Sequence, residues 1–179
     1  MRFLVIGQAN SGKSALAEEL AVGTGDRHRI YLATMKVCDE EGEKRVRRHR
    51  ESREGKGFIT IEKESDIPEI LKDIAEPEDT TVLLECVSNL VGNEMHKDRK
   101  KQNPGENGMY NDDKEIFADR IAEDIGKLSD NVHNLIIVTN EYPCEEGYDD
   151  ETRMYVELLN MVNDRLMAKA DRIYDLRKG

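Results

Sequence analysis

The run Gly7, Gln8, Ala9, Asn10, Ser11, Gly12, Lys13, Ser14 carries the spacing G-x-x-x-x-G-K-S, with an apolar stretch before it and a helix-forming stretch after it. That arrangement wraps a backbone around phosphate. The two glycines allow successive N–H groups to face anionic oxygens, and a helix beginning near Lys13 adds the positive end of its dipole. Lys13 is placed to reach the β and γ phosphates of a nucleoside triphosphate, and the Ser14 hydroxyl to ligate Mg²⁺. A metal held this way also needs a nearby carboxylate, and "TVLLEC" ends an apolar run in Glu85. Ser14 and Glu85 are therefore the expected metal residues, and ATP or GTP the expected ligand.

A second constellation lies in "DEEGEKRVRRHRESR", residues 39 to 53, whose only apolar residue is Val46. At helical spacing Arg45, His49 and Arg53 share one face, with Arg48, Arg50 and Ser52 close by. A basic cluster is out of character in a chain of net charge -11. Flanking guanidinium groups disfavour a second positive charge on His49 and offer a cradle for phosphate. A neutral imidazole there suits a nucleophile, a general base or a bystander, and the residues alone leave all three open. His28, His96 and His133 have no metal-ligand spacing and read as surface residues. Cys38, Cys86 and Cys144 form no C-x-x-C pair and leave one thiol over in any disulfide scheme, which suits a reducing cytosol.

These groups need a frame. Short apolar runs alternate with helical patterns, the mark of β-α-β units and a mostly parallel sheet. Strands are expected at "FLVI", "RIYLAT", "FITIE", "TVLLEC", "NLIIVTN" and "RIYDL", and helices over about 13–21, 39–54, 66–75, 114–129 and 151–169. The fold class is a P-loop NTPase-like three-layer α/β/α arrangement. "TVLLE" and "LIIVT", apolar on both faces, are expected to flank the P-loop strand. Residues 96–113 hold almost no apolar side chains and are expected as a mobile surface loop, or a lid over substrate. Thr139, Asn140 and Glu141 end a central strand on the side where open α/β sheets bind ligands.

With 179 residues the chain is expected to be one nucleotide-binding domain over 1–179. Its acidity argues against nucleic acid as a partner. No stretch reaches the roughly 18 apolar residues of a membrane span, and no signal-peptide pattern precedes the first strand, so a cytoplasmic location is expected.

With those residues in view, the chain resembles the bifunctional adenosylcobinamide kinase/adenosylcobinamide-phosphate guanylyltransferase family nearly from end to end. The likeness rests on "GQANSGKS", on "YLAT" at 31–34, and on Asp39, Glu41, Arg45, Val46, His49 and Arg53. It continues with "TIE" at 60–62, "LLEC", "VTNE" and "VNDRL" at 162–166. The resemblance implies that His49 is the residue that becomes guanylylated. It implies a kinase step from ATP or GTP to the hydroxyl of a corrinoid, then GMP transfer from GTP. It also places Ala33, Thr34, Glu62 and Glu85 near the nucleotide beside the expected contacts Arg45, Arg50 and Arg53, and it implies a homotrimer. The chain departs from the family pattern after Glu141, where Tyr142, Pro143 and "CEEGYDD" replace a Gly- and Pro-containing run. That departure touches the acceptor side. A related kinase or nucleotidyltransferase with another acceptor, and a catalytically silent GTP-binding protein, are the competing readings.

Overall fold

All six apolar runs form strands, and every pairing between them is parallel. A computed structural model describes residues 1–36, 40–101, 111–143 and 145–177; for Glu41, Arg45, His49, Ser52, Arg99, Lys100, Lys101, Asn111 and Asp112 the backbone alone is described. The strands are β1 (Arg2–Gly7), β2 (His28–Ala33), β3 (Phe58–Glu62), β4 (Thr80–Glu85), β5 (Asn134–Asn140) and β6 (Arg172–Leu176). The helices are α1 (Lys13–Gly23), α2 (Glu40–Ser52), α3 (Val87–Lys101), α4 (Asn111–Asp130) and α5 (Asp150–Lys169).

The sheet runs in the order β3-β2-β4-β5-β1-β6. Successive residues of a strand face opposite sides. Leu4 thus joins a core with Leu32, Leu84 and Ile137 against α3, α4 and α5. Val5 faces the other way, with Tyr31, Leu83 and Val138, toward Ala17 and Ala21 of α1. Those two alanines, one turn apart, let α1 lie close to the sheet. Helices therefore cover both faces, in three layers. No helix among the described residues is long and apolar enough to cross a membrane.

Four expectations are corrected. β4 does not flank β1: it pairs with β2 and β5, and the second neighbour of β1 is β6. Two apolar faces mark a strand as interior, which β4 is, but they do not choose its neighbours. The segment 66–75 is a 3₁₀ helix over Ile67–Asp73, because Ile67 and Ile70, the pair it buries, are three residues apart. No helix was expected between Glu85 and residue 114, yet α3 buries Val87, Leu90, Val91 and Met95 at helical spacing. Nor is 96–113 a loop throughout. Residues 96–101 extend α3 and 111–113 begin α4, while 102–110 lie outside the described residues. The charged turn of α3 is held by ion pairs rather than apolar burial: Arg120 reaches Glu94 at 3.0 Å and Asp98 at 2.6 Å.

At the amino ends of the strands, Asp26 is buried and fully engaged. It accepts from Thr81 Oγ1 at 2.5 Å and Asn134 Nδ2 at 2.9 Å, and pairs with His133 Nδ1 at 2.7 Å. His133, read from sequence as a surface residue, keeps a ring 56% exposed while closing this buried cluster.

Candidate nucleotide and metal site

The carboxyl ends of the strands face the other way. β1 ends at Gly7, where a Cβ would lie 2.6 Å from Ser11 Oγ and 3.0 Å from Leu176 Cβ. No larger residue fits without moving the loop. The chain then turns through Asn10 and Gly12, both with left-handed backbone (φ 60° and 84°). Gly12 caps α1 without a side-chain hydrogen bond, which leaves the first N–H groups of the helix turned toward the loop. Lys13 is buried, and its Nζ donates to Gln8 O at 2.9 Å. Burial pulls its ammonium below the ordinary lysine value, against the opposing influence of Cys86 and Glu85.

Ser14 Oγ donates to Glu85 Oε1 at 2.5 Å, joining the start of α1 to the end of β4. Glu85 Oε2 and Ser11 Oγ are buried, and neither has a hydrogen-bond partner among the described residues. A hydroxyl beside a carboxylate with a spare oxygen is a hard oxygen donor pair, which fits Mg²⁺ sharing its remaining positions with phosphate and water. Among the described residues no cluster of three His, Cys, Asp or Glu could hold a metal by protein ligands alone.

Glu62, Ala33 and Glu85 lie in one register across β3, β2 and β4. Glu62 accepts from Arg50 at 2.5 Å. Arg53 is 6% exposed, its Cζ 3.3 Å above the Tyr31 ring, and its Nη1 is buried without a partner among the described residues. Burial, and Glu85 beside it, push the Tyr31 phenol above its ordinary value, so it stays a neutral face for the guanidinium. Arg50, Arg53, Gly57 and Phe58 line a cleft of about 600 Å³. The backbone of His49 lies in α2. The side chains of His49 and Arg45 are outside the described residues, as are Cys38 and Cys144.

The structure also gives partners to the expected residues Thr34, Thr139, Asn140 and Glu141, and adds Ser88, Asn93 and Asn163, which sequence spacing did not single out. Thr34, expected beside the nucleotide, is fully buried: its hydroxyl donates to Cys86 O and accepts from Cys86 N, both at 2.8 Å. Burial pushes the Cys86 thiol up, and its Sγ lies 2.8 Å from Ser88 Oγ. Ser88 Oγ accepts from Asn140 Nδ2 at 2.8 Å. Thr139, likewise buried, donates to Asn163 Oδ1 at 2.7 Å. Glu141 accepts from Arg177 at 2.8 Å. Asn93 Nδ2 donates to both Thr34 O and Glu64 O. Apart from Cys86 and Ser88, these partners are 24 to 59 residues apart, and no local spacing announces them.

The family model described as cobinamide kinase / cobinamide phosphate guanyltransferase matches residues 3–179. The chain is 30% identical over 183 residues to the bifunctional adenosylcobalamin biosynthesis protein CobU of Escherichia coli (strain K12), covering 100% of this chain and 97% of that one. It is 29% identical to the protein of the same description from Salmonella typhimurium (strain LT2), with the same shares covered.

Proposed function

The chain belongs to the cobinamide kinase / cobinamide phosphate guanylyltransferase family, and from that premise we propose that it phosphorylates adenosylcobinamide with ATP or GTP and then adds GMP from GTP through a covalent histidine intermediate. The observation that carries this reading is the Ser14 to Glu85 contact at the mouth of the P-loop, with a carboxylate oxygen to spare.

In this reading Lys13 leaves Gln8 O for the β and γ phosphates, and the N–H groups at the start of α1 hold the phosphate oxygens. Ser14 and Glu85 hold Mg²⁺, which when bound neutralises charge on those oxygens. In the kinase step the corrinoid hydroxyl oxygen bonds to the γ phosphorus as the bond to the β-phosphate oxygen breaks, the nucleoside diphosphate leaves and the hydroxyl proton passes to solvent. In the transfer, a ring nitrogen of His49 bonds to the α phosphorus of GTP and pyrophosphate leaves. A phosphate oxygen of the phosphorylated corrinoid then attacks the same phosphorus, breaking the P–N bond and freeing the imidazole. Arg50 and Arg53 flank that exchange with positive charge, and the unpartnered Nη1 of buried Arg53 is a donor suited to phosphate.

The test is turnover. Adenosylcobinamide with γ-labelled ATP is expected to yield a labelled corrinoid phosphate, and later addition of GTP a corrinoid carrying GDP. A chain that binds GTP but transfers label to no corrinoid contradicts the acceptor assigned here, and the altered run after Glu141 is where that contradiction would arise.

A further inference from the structure

We propose that Asn93 is a positioning residue for the guanylylation of His49: its side-chain amide ties together both ends of the excursion that carries α2 and fixes them to α3. The inference rests on the histidine-transfer reading above.

Between β2 and β3 the chain leaves the sheet at Thr34, forms α2, and is back beyond β3 at Glu64. Asn93 Nδ2 donates to Thr34 O at 2.8 Å and to Glu64 O at 3.0 Å, so one NH₂ group bridges the departing and returning strands. Both partners are carbonyl oxygens, which only the donor end of an amide can satisfy. The rest of the base is equally tied. Thr34 N–H donates to Glu85 O at 3.1 Å, and Lys63 N–H to Ala33 O at 2.9 Å. The next residue of α3, Glu94, accepts from Asp66 N–H at 3.1 Å, and one turn further on Lys97 donates to Asp66 at 2.5 Å. Because α3 begins two residues after Glu85, this clamp refers the base of the excursion to the metal-side strand end.

Within the excursion β3 is held by its pairing with β2, so the part whose placement is at issue is α2. Val46 is the only apolar residue of α2, so no apolar stripe seats the helix on the core. Among the described side chains of α2 and the turn after it, ties run from Arg50 to Glu62, which belongs to the excursion itself, from Arg53 to Tyr31, and from Lys56 to Glu18 at 2.6 Å, whereas β3 adds apolar contact through Phe58 on Tyr31. The P-loop strand β1 stands three places from β2 in the sheet, or about 14 Å at the usual strand spacing. A nucleophile carried on a polar helix across that span depends on where the base is anchored. Misplacement by about 1 Å is enough to cost on the order of a hundredfold in a displacement at phosphorus. Nucleotide binding by Gln8, Lys13 and Ser14 does not pass through Asn93.

The test compares the wild-type chain with Asn93→Asp, which keeps the shape and loses both donors, and with Asn93→Ser, which is neutral and too short to span both carbonyls. Three quantities are measured: single-turnover formation of acid-labile, protein-bound label from α-labelled GTP, GTP affinity by titration, and melting temperature. Label formation is expected to slow about ten- to hundredfold in both variants, while GTP affinity, set mainly at the P-loop, changes much less even though Arg50 and Arg53 ride on the same excursion. A variant that labels at the wild-type rate overturns the inference, and so does one whose labelling and GTP affinity fall together, as a general loss of folded protein would give. If Asn93→Asp does not fold, Asn93→Ser decides the matter by the same criteria. Absence of label on the wild-type chain overturns the histidine-transfer reading and this inference with it, whereas label on wild type with unaltered variants overturns this inference alone.

Discussion

The two ends of one sheet treat their buried carboxylate oxygens in opposite ways. At the amino end, buried Asp26 engages Thr81, Asn134 and His133, and the Thr24 hydroxyl joins the cluster through Thr81 at 2.8 Å. At the carboxyl end, Glu85 Oε2 is buried without a partner among the described residues, as are Ser11 Oγ and Arg53 Nη1. His28 Nε2 and Arg29 Nε at the start of β2 are buried without hydrogen bonds among those residues too, so the contrast between the ends is one of their acids. A satisfied buried carboxylate stabilises and rigidifies the fold, whereas an unsatisfied one costs stability until a ligand completes it. The satisfaction of the acid, more than its burial, separates Asp26 at one end of this sheet from Glu85 at the end expected to do chemistry.

The sharpest way to break that comparison is to neutralise one acid at each end. Glu85→Gln keeps an acceptor for Ser14 but removes the charge a metal needs. It is expected to lower phosphoryl transfer by about a thousandfold, as loss of a preorganised electrostatic contact does. Its melting temperature should stay level or rise, since an incompletely paired buried charge is gone; a large fall in melting temperature would show that Glu85 is structural after all.

Asp26→Ala is expected to do the reverse. It removes the shared acceptor of Thr81, Asn134 and His133 and leaves the buried Asn134 amide short of its partner. The change should cost about 2 kcal/mol in denaturant unfolding, with kinase activity per folded molecule unchanged. A smaller effect of the same group appears with pH. Burial is the largest single influence on the Asp26 carboxyl and acts to raise it, but the hydrogen bonds from Thr81, Asn134 and His133 together leave it below its ordinary 3.8. Its stabilising contribution is therefore fully present above that ordinary value and is lost as the pH falls through the lower folded one. Unfolding followed against pH should show this acid limb in the wild-type chain and lack it in Asp26→Asn.

Much of the carboxyl end was legible in sequence because its chemistry is contiguous. The P-loop is a single run in which the glycines, Lys13 and Ser14 stand at the spacing that wrapping a phosphate imposes. Glu85 was reachable by the same logic, as the acid closing an apolar strand. The amino-end cluster was not legible, since Asp26 and His133 are 107 residues apart and meet only through the sheet order. Asn93 and Ser88 were hidden for a related reason. They stand on α3, whose second half is so charged that it reads as a loop until Glu94, Asp98 and Arg120 are seen to pair across two helices. The place of β4, one strand away from β1, depended on crossovers that apolar patterning does not encode.

The most direct test of the central claim is the intact mass of the chain after incubation with GTP and Mg²⁺ in the absence of corrinoid, with the modified residue mapped by peptide fragmentation. The account predicts the addition of one guanylyl group, carried on His49 and absent from His49→Ala. A chain that binds GTP and stays unmodified, or that carries the group on another residue, contradicts the account.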